Sequence, residues 1–145
     1  MTATRTIDEL LAQYSDSHRN HTNELIHFVC VPLIVFSLLG LLWWIHPAVA
    51  VAVAGASLYY YWKLSRPFAF GMLVMALLML SILAALPPVT VLPLSIAIFV
   101  LAWIGQFIGH IIEGKKPSFL DDLRFLLIGP VFVLSFLYRR LNLAY

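Results

Sequence analysis

The sequence predicts an all-α integral membrane protein. The expected architecture is a bundle of four transmembrane helices, with an amino-terminal surface helix and a short fifth membrane-associated helix. Three observations predict it. Of 145 residues, 62% are apolar and 11% charged, against about 45–50% and about 25% in soluble domains. A small domain buries only about two-thirds of the surface its unfolded chain exposes, so the apolar excess must face lipid. Apolar runs near the length of a bilayer crossing recur along the chain, and its lysines and arginines fall on alternate connections. This composition excludes a water-soluble enzyme, a disordered chain and a disulfide-stapled module. A net charge of +2 gives no argument for nucleic acid. The one cysteine, Cys30, lies in an apolar run, so there is no intramolecular disulfide and no CxxC motif.

The elements follow in order, as one domain over 1–145. Ile7, Leu10 and Leu11, with Asp8 and Glu9 in the first turn, predict a surface helix over about 6–17. No secretory signal precedes the first apolar run, so the apolar segments are expected in the mature protein. A crossing helix needs about 20 apolar residues. Membrane helices are expected over about 24–45, 48–62, 68–86 and 89–112, the second rich in alanine and valine. Lys63 to Pro67 and Pro87-Pro88 separate them. A last segment over about 123–138 contains Gly129-Pro130, a helix breaker, and is expected to be half-buried or spanning.

Four crossings put the amino terminus, the 63–66 loop and the 113–124 loop on one side. That side contains Arg5, Arg19, Lys63, Arg66, Lys115, Lys116 and Arg124; the opposite loops contain no lysine or arginine. The positive-inside rule makes the basic side cytoplasmic. Trp43-Trp44 and the aromatic cluster Tyr59 to Trp62 mark the two interfaces.

The same topology gathers histidines. His18 precedes the first crossing, His27 begins it and His110 ends the fourth, so all three share the cytoplasmic end. Ionisable groups in membrane segments are costly and tend to mark function, and imidazole suits zinc, copper, iron and nickel. Each histidine alone also fits an interfacial polar residue. Asn20, Asn23 and His27 share one helical face, whereas nine residues put His18 and His27 on opposite faces of a straight helix. A break near Asn20 and His21 would aim both inward. Gln106, His110 and Glu113 form a second stripe. Asn and Gln suit hydrogen bonding around a site better than ligation. Lys115 and Lys116 read first as headgroup anchors, and Gly105 with Gly109 as a close-packing face. His46 and His21 read as loop and turn residues.

At these residues the chain resembles the 2-hydroxy fatty acid dioxygenases, small membrane proteins of fatty-acid α-oxidation. The stretch Tyr14 to His27 followed by Val31-Pro32 is similar to their first motif. The stretch Trp103 to His110 with Glu113 to Ser118 is similar to their second. The resemblance implies His18, His27 and His110 as metal ligands, with Asn20, Asn23 and Gln106 around them. It leaves Glu113 as a further ligand or catalytic group, although Glu113 follows His110 by three residues where the fungal pattern has four. His21 stands where the family has proline. The implied cofactor is Fe(2+), with O2, a fatty-acid or other lipid substrate and membrane lipids as partners. The implied reaction shortens a 2-hydroxy fatty acid by one carbon with release of CO2. Lys115, Lys116 or Arg124 would attract the substrate carboxylate. The competing expectation is a non-catalytic, metal-stabilised bundle or a lipid-binding assembly protein. A transporter is disfavoured by the absence of midplane charge and of an inverted repeat. The expected location is a bacterial inner membrane, or the endoplasmic reticulum in a eukaryote.

Overall fold

A computed structural model describes residues 3–121 and 123–145, with side chains from Thr6 onward. The side chain of Arg5 and all of Asp122 lie outside the described residues. Among these residues the protein is all helical: α1 (Ala3–Ser15), α2 (His21–Ile45), α3 (Pro47–Leu64), α4 (Arg66–Ala85), α5 (Pro88–Glu113) and α6 (Phe125–Arg140). One 3₁₀ turn, Ser118–Leu120, joins α5 to α6.

Helix α1 buries Ile7, Leu10, Leu11 and Tyr14, the i, i+3, i+4, i+7 stripe of an amphipathic helix. That stripe packs with Tyr61, Phe68, Ile128 and Phe132 of α3, α4 and α6. Helix α2 begins at His21, ahead of the expected 24, because the Asn20 side chain accepts from the Thr22 and Asn23 amides. At the far end His46 caps α3 through Ala48 N–H. Pro47, Pro67 and Pro88 each stand in the first turn of a helix, where the missing N–H has no intrahelical acceptor to lose.

Helices α2 and α5 lie against each other along much of their length. Three glycines allow the approach: a Cβ at Gly109 would strike Asn23, one at Gly105 would meet Cys30, and one at Gly40 would strike Ser95. Gly114, with φ 74°, ends α5, and its N–H donates to the His110 and Ile111 carbonyls.

Helices α2, α4 and α5 are long and apolar enough to cross a membrane. Their outer faces expose Val29, Leu33, Val74, Leu78, Leu101 and Ile108, as lipid-facing surfaces do. Helix α3 is shorter, at 18 residues, and carries the aromatic run Tyr59 to Trp62 and Lys63 in its last turns.

Gly129-Pro130 does not interrupt α6, which runs unbroken through both. Pro130 comes near the start of the helix, where its missing N–H frees a single carbonyl of the preceding turn, and Tyr61 donates its phenol to the neighbouring Leu127 carbonyl. The two ends of α6 reach the same end of the bundle. Phe125 touches Tyr14, while Tyr138 donates to the Pro67 carbonyl and stacks on Phe68. The helix therefore lies across the mouth of the bundle as a half-buried roof.

Candidate metal centre

The five residues between α1 and α2 turn the chain, and this turn aims His18 back toward His27. Ser17 Oγ donates to the Tyr14 carbonyl, and His18 N–H donates to the Ser15 carbonyl. The His18 ring then stacks on Tyr14, with centroids 4.2 Å apart and planes 5° from parallel. From α5, His110 completes a group whose ligand atoms all lie within 4.8 Å of one another. All three imidazoles are buried.

The tautomers follow from the backbone. His18 Nδ1 is 2.6 Å from the Tyr14 carbonyl, and His27 Nδ1 is 2.9 Å from the Asn23 carbonyl. A carbonyl only accepts, so both Nδ1 atoms carry hydrogen and both Nε2 atoms present lone pairs. Those Nε2 atoms face each other at 2.8 Å. Two acceptors at this distance require a proton or a cation between them. Burial lowers the His18 pKa to about 4, so a proton is disfavoured near neutral pH. The His110 Nδ1 is buried without a partner. This donor set fits a divalent metal held by nitrogen ligands.

Glu113 is outside the three-histidine group. Its carboxylate accepts from the Arg19 and Asn20 amides at 2.9 and 2.8 Å and from Asn23 Nδ2 at 3.1 Å. It therefore clamps the 16–20 turn and the start of α2 to the end of α5. Asn20 acts as the helix cap and does not reach the imidazoles. Asn23 is fully buried, donates to the Ser17 carbonyl and to Glu113, and supplies the carbonyl that orients His27. Its Oδ1 has no partner.

A cavity of about 70 Å³ opens beside the histidines. His27, His110 and buried Gln106 line its polar end, while Val31, Ile34 and Leu38 line its apolar wall. A single water needs only about 10–15 Å³ of such space, so the cavity has room for several small-molecule atoms. Trp103 is also in the wall, and its indole N–H is buried without an acceptor. Lys115 and Lys116 line a separate outer cavity with Gln13, Asp16 and Ser17, and Lys115 Nζ donates to the Asp16 carbonyl. The two cavities share Ser118 and Phe125. Arg124 precedes α6 and lines neither cavity.

Tyr14, Ser17, Trp103 and Ser118 also belong to the site, without a role assigned to them from the sequence. The signal for Tyr14 lay in the α1 stripe, which places it on the buried face next to His18. For Ser17, Trp103 and Ser118 the signal is their place within the two motif stretches.

A family model described as 2-hydroxy-palmitic acid dioxygenase Mpo1-like matches residues 4–141. The chain belongs to the Mpo1-like family. Among curated relatives of this Mpo1-like chain, the 2-hydroxy-palmitic acid dioxygenase MPO1 of Saccharomyces cerevisiae is 31% identical over 138 residues. That alignment covers 89% of this chain and 78% of the yeast protein. No solved structure matches this Mpo1-like sequence.

Proposed function

We propose that this protein is an Fe(II)-dependent dioxygenase of membrane-embedded α-oxidation. It would convert a 2-hydroxy fatty acid and O2 into the one-carbon-shorter fatty acid, CO2 and water. The atoms balance: the two oxygens added to RCH(OH)COOH reappear in RCOOH, CO2 and H2O. The observation that carries the reading is the buried group of three imidazoles opening on an apolar-walled cavity, in a chain of this family.

In this reading His18, His27 and His110 hold the ion. When bound, Fe(II) supplies the activation of dioxygen and a Lewis acid for the substrate's oxygens. The chain's own groups do the rest. The Tyr14 and Asn23 carbonyls keep His18 and His27 in the tautomer that offers Nε2. Glu113 fixes the turn that delivers His18. The α6 roof shields the cavity from water. Lys115 and Lys116, in the outer cavity, attract the substrate carboxylate, with a smaller contribution from Arg124. The basic end of the bundle is the cytoplasmic one.

Metal analysis of the protein purified in lipid nanodiscs, with oxygen uptake on 2-hydroxypalmitate, tests this. Iron-loaded protein should consume oxygen and yield the acid one carbon shorter, and a chelator should abolish both. Protein that stays inert after Fe(II) is restored would rule out the reaction. Tight zinc with no oxygen uptake would favour a metal-stabilised bundle.

A further inference from the structure

A second apolar cavity, of about 320 Å³, lies between α2, α3, α4 and α6. Val35, Leu38, Leu126 and Pro130 line both it and the histidine cavity, so the two spaces are neighbours along a seam formed by these four side chains. On α2 the walls of the two cavities together run His27, Val31, Ile34, Val35, Leu38 and Leu39, a spacing that stays on one helix face. From His27 to Leu39 the helix rises about 18 Å. An extended hydrocarbon advances about 1.25 Å per carbon, given bonds of ~1.5 Å at tetrahedral angles, so this distance takes about 14 carbons.

A packed apolar cluster lies at the far end. Leu39 and Ala54 line the second cavity and also pack with Met79, Leu83 and Val91 in a buried cluster. Only Ser57 and Tyr61 bring hydroxyls to this lining, and both donate to backbone carbonyls, those of Val53 and Leu127. Among the described residues of this lining, no hydroxyl donor is left free for a polar ligand. At the opposite end, the unpartnered Trp103 indole N–H offers a donor to an oxygen-bearing head group.

We infer that the two neighbouring cavities together form the acyl-chain site of the substrate. The chain passes the Leu38–Leu126 seam, and the Leu39–Ala54 floor sets the longest tail accepted. The inference rests on the proposed substrate class, and its test needs no turnover.

Chelator-treated protein in nanodiscs is loaded with a fluorescent fatty acid, which is then displaced by 2-hydroxy acids of increasing chain length. Affinity should climb about fourfold per buried methylene and stop climbing where the tail meets the floor. Ala54→Leu should move that plateau to tails shorter by about two or three carbons. Met75→Ala, which enlarges the second cavity, should move it to longer tails. Ala52→Leu, on the exposed face of α3, should leave it in place. A plateau unmoved in both Ala54→Leu and Met75→Ala overturns the inference, as does a phospholipid held in the site that no fatty acid displaces. If Ala54→Leu does not fold, Met75→Ala alone decides. Shifted plateaus in a protein that never consumes oxygen would uphold the acyl site while refuting the reaction. Unshifted plateaus in an active enzyme would do the reverse.

Discussion

His18 and His27 present an electrostatic conflict that a cation resolves. Their Nε2 lone pairs face each other at 2.8 Å, and backbone carbonyls hold the ring protons on the other nitrogens. His18→Ala, His27→Ala and His110→Ala should each lower bound metal by at least about tenfold, since even changes around a metal's ligands cost 10–100-fold in affinity. His46→Ala, at the opposite end of the bundle, should leave metal content unchanged. Elemental analysis of the four purified variants decides; full retention in all three site variants would refute the ligand set. Acid sensitivity follows from the same burial. The His18 pKa falls from 6.5 to about 4 on folding, so below about 6.5 the unfolded chain binds a proton that the folded one refuses. Metal-free protein should therefore lose stability as pH falls from about 6.5 toward 4, and His18→Phe should flatten that dependence in thermal melts. An unchanged slope would show that His18 does not carry it.

At the scale of elements, the α2–α5 pair and the turn before α2 form one clamp, centred on Glu113. A carboxylate at the end of its own helix is disfavoured by the dipole by about 0.3–1 kcal/mol. The hydrogen bonds it accepts from Arg19, Asn20 and Asn23 contribute about 1.5–3 kcal/mol each as bonds to a charged group, so the clamp prevails. Glu113→Gln replaces one acceptor oxygen with a donor and should lower the thermal midpoint by several degrees while weakening metal retention. A lower midpoint with unchanged metal affinity would limit Glu113 to a structural role. Gly109→Ala should act on the same clamp from the other side, because the added Cβ strikes Asn23. Spectroscopy of a cobalt-substituted protein would detect the displaced His27; an unperturbed spectrum would count against the coupling. These elements also mark what a sequence reveals. The nine-residue offset of His18 and His27 predicts a break between two helices, and the chain bends over residues 16–20. The grip of Glu113 on two backbone amides leaves no trace in residue types, because every residue but proline offers the same N–H. The path of α6 was equally hidden, since a short apolar run with a central proline fits a crossing, a re-entrant segment or a roof.

Across the whole molecule, charge and chemistry occupy one end. Lys63 is in the last turn of α3 and Arg66 starts α4, Arg19 and Lys115 flank the histidines, and α6 returns Arg139 and Arg140 to the same end. If α3 crosses along with α2, α4 and α5, the proposed topology puts both termini on the cytoplasmic side. Tags at either terminus should be protected in right-side-out vesicles and cleaved in inverted ones; opposite accessibility of the two tags would mean an odd number of crossings. The three long apolar helices α2, α4 and α5 were legible from composition, and the grouping of His18, His27 and His110 followed from the expected alternation of crossings. The cavities beneath α6 were not legible, because they depend on how side chains from four helices fail to fill the space between them.

The clamp also orders events in time. Asn23 and Glu113 are 90 positions apart in the chain, and every crossing helix separates the first histidines from the last. During synthesis, which proceeds from the amino terminus, His18 and His27 emerge long before their third companion, and closing so long a loop must come before its contacts can reward it. A nascent chain that has inserted only α2 and α3 would hold two imidazoles and no enclosure. If the three imidazoles hold a metal, its delivery belongs after α5 has docked and α6 has folded over the mouth, so the protein would be matured as a finished bundle and not loaded on the ribosome.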